Sequence, residues 1–295
     1  MVKETAILIC SKNRVTELAL LLQSLRTSTY QDFDIFILDD KSDNPNEKYH
    51  FFNCLINALK MEGHKVFIKY NEFCYGVNKA RQAIVDWALE SNYKYLCRLD
   101  DDVIIESDYL NKLVNVINQG YDFATGVTVP MFQSTFIRDP IYLKGIANRV
   151  ILKEGKIVYN GDDCGMRYTD SIIVPCDHFR SCGLYKSEIH KKANYMPTRL
   201  SMNGFREEQI FSFRMIVNGF KIGCDTGAIN YHQITPSGGE RPTMNMVPFN
   251  QNILEEETKE LFDKYGDFIK DYHNRLGIEE IELDKEYQKE NNTCR

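Results

Sequence analysis

The chain has 295 residues, 43% of them hydrophobic and 26% charged, which suffices for one large domain, or a domain with an appended part, and a substantial core. A formal net charge of −6 argues against a protein that works by coating phosphate backbones. No run of about 18 apolar residues is present to cross a bilayer, and the opening Met-Val-Lys-Glu-Thr leads into a strand-like segment rather than a signal peptide.

Thr5–Cys10 is a continuous apolar run, the pattern of a strand buried on both faces. Leu18, Leu21, Leu22 and Leu25 then recur at helical spacing. A second strand, Phe33–Leu38, ends in Asp39-Asp40, and Phe51–Leu59 reads as a helix. Val66–Tyr70 is a third strand; Val77, Ala80, Ile84 and Trp87 mark another helical stripe. The fourth strand, Tyr93–Leu99, stops at Asp100-Asp101-Asp102. Leu110, Leu113, Val114 and Ile117 mark the next helix, capped by Gly120, before a strand over Asp122–Val129. Beyond residue 131 the rhythm weakens into short β-like pieces at 149–152, 157–159 and 171–174. A helix over Glu207–Val217 and two short strands, 221–224 and 228–231, follow. Residues 251–295 are charged and largely helical, with Leu254, Leu261, Phe262 and Tyr265 as the packing stripe.

This alternation predicts a doubly wound, mostly parallel α/β sheet with helices on both faces. Ligands on such sheets sit beyond the carboxyl ends of the strands. Ser11 to Arg14, Asp39 to Ser42, Asn71 to Gly76 and Asp100 to Asp102 all follow strands directly. Three adjacent carboxylates repel one another, and a divalent cation would remove that repulsion; hard oxygen ligands suit Mg²⁺ or Mn²⁺. The nine cysteines lack paired spacing, which points to reduced thiols and a cytoplasmic compartment, with Cys176 and Cys182 as core residues.

The runs ILICSKNR, FDIFILDDKSDN, NEFCYGVNKAR and YLCRLDDDVIIESDYL, in this order, resemble the nucleotide-binding half of the inverting glycosyltransferases of family 2. Lys41, where the family has a small residue, and Gln82, where it has Asn, depart from its pattern. More weakly, the likeness extends to about residue 235, through Ser181–Lys186, Phe205–Arg214 and Tyr231-His232. The resemblance implies a GT-A fold with a nucleotide-sugar half (1–130), an acceptor and catalytic-base half (131–240) and a helical C-terminal extension (241–295). It also implies transfer from a nucleoside-diphosphate sugar, a UDP-sugar foremost, to an acceptor hydroxyl with Mn²⁺ or Mg²⁺ as cofactor.

By the same resemblance Glu208 is the catalytic base, Glu207 being the alternative, with Arg214 at the matching distance. Asp102, Asp100 and His232 are metal ligands. Ser11, Asn13, Arg14, Asp39, Arg81, Asp100 and Asp101 line the nucleotide sugar, with Asp100 and Asp101 interchangeable between ribose and metal. Between His178 and Arg206 lie Arg180, Lys186, Lys191, Lys192, Arg199 and Arg206 against only Glu188. That local excess predicts an anionic acceptor, a phosphate-bearing glycan carrier or nucleic acid, met on an acceptor side containing Arg180, Lys186, Arg206 and Glu207. Two other readings remain. A nucleotidyltransferase would want a glycine-rich phosphate loop, which Ser11-Lys12-Asn13-Arg14 lacks. A non-catalytic nucleotide-sugar-binding module would have no need to keep Asp102, Glu208 and His232 together.

Overall fold

The first strand, β1 (Thr5–Ser11), alternates its side chains between two apolar environments, which is why the run contains almost nothing polar. Ala6 and Leu8 enter one buried cluster and Ile7 and Ile9 the other; in β2 (Phe33–Asp39) Phe36 and Leu38 divide from Ile35 and Ile37 in the same way. A computed structural model describes residues 3–131, 151–153, 156–158, 171–194, 204, 207–235, 238–239 and 251–277.

Helix α1 (Val15–Arg26) buries Leu18, Leu21, Leu22 and Leu25, and α2 (His50–Met61) buries Phe52, Ile56 and Leu59 in the same cluster. β3 (Val66–Tyr70) follows, then α3 (Val77–Leu89), which buries Ala80, Ile84, Val85 and Ala88 on the other face. β4 (Tyr95–Asp100), a short β5 (Val103–Ile105), α4 (Tyr109–Asn118) and β6 (Phe123–Pro130) come next. A two-stranded hairpin is formed by β7 (Ile151–Lys153) and β8 (Lys156–Val158). β9 (Ile173–Pro175), β10 (Gly183–Lys186), α5 (Glu207–Val217), β11 (Ile222–His232) and α6 (Gln251–Leu276) complete the order.

Among the described residues the main sheet runs β3-β2-β1-β4-β10-β6-β11-β5, with β9 also on β11. β3, β2, β1 and β4 are parallel, as are β6 and β11. β10 enters antiparallel between β4 and β6, β5 is antiparallel to β11, and β11 is one strand where two were expected. Its register on β6 shifts between Cys224 and Ile229, and this irregularity is what broke the sequence pattern.

The C-terminal helix α6 packs its last turns into the core. Tyr265, Ile269 and Tyr272 are buried in the cluster that holds Phe213 and Ile222. The Tyr272 hydroxyl accepts the Ile222 amide and donates to the Cys176 carbonyl, each at 3.1 Å. His273 Nε2 stands 2.8 Å from the buried Asp177 carboxylate. No helix among the described residues is long and apolar enough to cross a membrane.

Candidate active site

The ends of β1, β2 and β4 and the loop before α3 meet at one edge of the sheet, and the loops are tied to one another by carboxylates. Asn13, at φ 55, exchanges hydrogen bonds with Asp43: its Nδ2 donates to Oδ2 at 3.0 Å and its Oδ1 accepts the Asp43 amide at 2.8 Å. The Asn13 amide donates to Ser42 Oγ at 2.7 Å. Asp40 gathers the loop before α3, accepting from Asn71 Nδ2 at 2.8 Å, the Tyr75 amide at 2.9 Å and the Gly76 amide at 3.0 Å. Gly76 has φ 77 and ψ 163, a backbone region essentially reserved for glycine, and there the chain turns into the helix that carries Arg81. Sequence reading passed over Asp40 in favour of Asp39. Asp39 Oδ1 accepts the Ser42 amide at 2.7 Å, burial raises its pKa, and its Oδ2 is buried with no hydrogen-bond partner among the described residues. Ser11, also buried, accepts the Asp40 amide on its carbonyl at 2.8 Å.

The acidic triplet is compensated by three arginines. Arg14 Nη1 lies 2.9 Å from Asp101 Oδ1 and 3.1 Å from Asp102 Oδ2. Arg81 Nη2 is 2.7 Å from Asp100 Oδ1, and Arg98 Nη2 is 3.4 Å from the same oxygen. Burial pushes the Asp100 carboxyl up to about 6 against the pull of Arg98, and that of Asp101 up to about 7 against the pull of Arg14. Arg14 and Arg81, both expected to line the nucleotide sugar, therefore spend their charge on protein carboxylates.

Asp102, nearly fully buried, has Oδ1 3.1 Å from His232 Nε2, and its carbonyl accepts the Gln233 amide at 2.8 Å. His232 closes β11, in register with Val103 of β5, so the strand pairing itself brings the imidazole to the triplet. A carboxylate is a fitting donor for Mn²⁺ or Mg²⁺, and the imidazole beside it favours Mn²⁺ of the two. Among the described residues no group of three or more His, Cys, Asp or Glu converges as a metal cage. Two protein ligands are what a catalytic Mg²⁺-type site commonly offers, with substrate phosphates and water supplying the rest. Asp100 Oδ1 is turned to Arg81 and Arg98, while the charges of Asp102 and His232 also act on its carboxyl.

Arg98 is the residue that sequence reading missed. It stands buried on β4 two positions before Asp100, hence on the same face, in an otherwise apolar strand. An unpaired charge there would be prohibitive, and that was the available signal. Its guanidinium packs over the Phe179 ring at 5.1 Å and reaches Glu207 Oε2 at 3.0 Å, Glu207 Oε1 at 2.7 Å and Glu208 Oε1 at 3.1 Å. Arg81 Nη1 also contacts Glu207 Oε1. The two glutamates at the start of α5 thus differ sharply. The Glu207 side chain is 2% exposed and held by both arginines; that of Glu208 is 24% exposed, and its Oε2 takes part in none of these contacts. Glu207 anchors α5 to β4, which does not suit the acceptor-side role expected of it, and Glu208 is the carboxylate open to a ligand.

The basic stretch is divided by the fold. Arg180 precedes β10 at the edge where β4 ends. Lys186 pairs in register with Tyr95 at the start of β4, at the opposite edge, and binds Asp122 at 2.7 Å. Lys191 and Lys192 follow it there. Lys186, expected on the acceptor side, thus lies at the edge opposite Arg180; because β10 runs antiparallel, its two ends face opposite edges. Arg206 and Arg199 lie outside the described residues. Arg214 donates to the Asn194 carbonyl at 3.0 Å and to its side chain at 2.7 Å.

A comparison with curated proteins finds no match. Among solved structures, the chain is similar to GalNAc-T7, crystallised with UDP, GalNAc and Mn²⁺, at TM-score 0.57 and 15% identity, covering 81% of this chain and 45% of that one. It is also similar to residues 1–349 of TarS from S. aureus in complex with UDP-GlcNAc, at TM-score 0.54 and 12% identity, covering 88% of this chain and 65% of that one. At such identities the likeness shows the fold alone, and the chain spans less than two thirds of either protein. The profile of glycosyl transferase family 2 matches residues 6–174, more than half of the sequence. With the curled, mostly parallel sheet of a GT-A fold around it, the chain belongs to glycosyl transferase family 2.

Proposed function

We propose that the chain is a metal-dependent glycosyltransferase. It moves a sugar from a nucleoside-diphosphate sugar, a UDP-sugar foremost, to an acceptor hydroxyl, with inversion at the anomeric carbon. The observation that carries this reading is the convergence of an Asp102–His232 pair and the accessible Glu208, held by Arg98, on one sheet edge. The acceptor hydroxyl attacks the anomeric carbon, its proton passes to Glu208, and the bond from that carbon to the diphosphate oxygen breaks. Asp102 and His232 would hold Mn²⁺ or Mg²⁺, which supplies positive charge to the departing diphosphate. Asp39, with an unsatisfied carboxylate oxygen at the end of β2, is placed to accept from the base or ribose, and Asp100 is the second candidate for the ribose.

Arg180 is the one described residue of the basic stretch at this edge, so an anionic acceptor would meet Arg180. The lack of paired spacing among the nine cysteines supports a cytoplasmic setting. Thermal unfolding with a panel of nucleotide sugars tests the reading, since a ligand that binds the folded state alone raises the midpoint. A UDP-sugar should raise it with Mn²⁺ or Mg²⁺ and leave it unmoved in chelator. A panel without any metal-dependent shift would overturn the assignment.

A further inference from the structure

We propose that Arg14 is an internal counter-ion that makes divalent-cation binding conditional on the nucleotide; this rests on Asp102 and His232 being the metal ligands. Arg14 lies just before α1, and its side chain runs buried from the end of β1 to the end of β4. One nitrogen, Nη1, spans the two carboxylates of Asp101 and Asp102, at 2.9 and 3.1 Å. Asp102 is therefore shared: Oδ2 faces the guanidinium and Oδ1 faces His232.

The arginine is built into its place by the segment after β11. Arg14 Nη2 donates to the Gly238 carbonyl at 3.5 Å, and the Gly239 amide donates to the Lys12 carbonyl at 2.9 Å. Gly238 and Gly239 both have positive φ, and a Cβ on Gly238 would come within 2.5 Å of Arg14 Cγ and 2.7 Å of the Asn13 carbonyl. Only glycine lets this segment lie so close over the arginine. The chain that follows His232 thus returns to hold the competitor for His232's own partner.

A dication engaging Asp102 and His232 meets a guanidinium on the same carboxylate, so binding to the empty protein is opposed by like charge. A diphosphate reverses the balance, because its negative oxygens satisfy both the cation and the arginine. Cation and nucleotide therefore bind with positive coupling, and by linkage each raises the other's affinity by the same factor; about 5–150-fold is the usual range.

The test is titration of Mn²⁺ into the full chain, read by the loss of the free-ion paramagnetic resonance signal beyond that in a protein-free titration with the same nucleotide. Wild type, Arg14→Gln and Arg14→Met are each titrated alone and with UDP, with GDP and dTDP in parallel. Wild type should bind Mn²⁺ about tenfold or more tighter with nucleoside diphosphate than without. The neutral variants should bind Mn²⁺ tighter than wild type in the absence of nucleotide, so that the ratio falls well below that of wild type. Equal wild-type affinity with and without nucleotide overturns the inference without recourse to any variant, even if neither variant folds. Nucleotide-dependent Mn²⁺ binding that Arg14→Gln leaves unchanged overturns this inference alone and leaves the proposed function standing. Absence of Mn²⁺ binding in every titration overturns the proposed metal use, and the inference with it.

Discussion

Glu208→Gln is expected to lower the rate of transfer by about 10²–10⁴-fold, the usual contribution of a positioned general base, while leaving donor binding and the unfolding midpoint close to wild type. Glutamine keeps the length of the side chain and an oxygen for Arg98, so the 3.1 Å contact survives; what disappears is the ability to take a proton. The neighbouring substitution Glu207→Gln should behave differently. Its carboxylate is buried between Arg81 and Arg98, and removing one partner of a buried charge cluster costs about 3–5 kcal/mol. That variant should lose stability, measured as a fall in the unfolding midpoint, whatever its activity. Near-normal turnover by Glu208→Gln, at full donor occupancy, would remove Glu208 from the role of base.

Asp102→Asn is expected to reduce transfer by about 10²-fold or more and to erase the dependence of donor binding on divalent cation. The side chain is buried and faces His232 at 3.1 Å and Arg14 at 3.1 Å, so an isosteric amide keeps the packing but neutralises the anionic member of the metal pair. Arg14 retains Asp101 as partner. The quantity that separates charge loss from misfolding is the donor-induced shift of the midpoint with Mn²⁺ against chelator. The account expects equal, small shifts in the variant. A full wild-type shift restored by Mn²⁺ would show that Asp102 does not hold the cation.

Much of the donor half was legible because its signals are local. The parallel strands β1, β2 and β4 read as apolar runs, since both faces are covered, and polar residues begin abruptly where each strand meets the ligand edge. Helix α5 was read with its observed bounds, Glu207–Val217, and Gly120, at φ 91, ends α4 as its position suggested. What escaped depends on pairing between segments distant in sequence. β10 inserts antiparallel between β4 and β6, and nothing in Gly183–Lys186 announces its neighbours or its direction. That direction decides that Arg180 lies at the ligand edge and Lys186 at the opposite one. Strand β5 has three residues, too few for a period to show.

At the site, residue types were easier to read than their partners. Asp102 and His232 do meet. Arg14 and Arg81 were assigned to the ligand by their place after strands and on the helix start, yet both turn to carboxylates brought by β4 and α5. The choice between Glu207 and Glu208 follows from burial: one side chain lies beneath Arg81 and Arg98, the other opens to the edge. Adjacent identical residues on a helix offer no such distinction until the opposing surface is known.

The edge formed by Asp102, His232 and Glu208 is expected to take a nucleoside diphosphate together with a divalent cation. Crystals grown with UDP and Mn²⁺, measured at the manganese absorption edge, test it most directly. The account predicts one strong anomalous peak in contact with the Asp102 carboxylate and the His232 imidazole, with the diphosphate on its other side and the nucleoside toward Asp39. Nucleotide bound elsewhere, or bound at this edge with no anomalous density between its phosphates and Asp102, would contradict it.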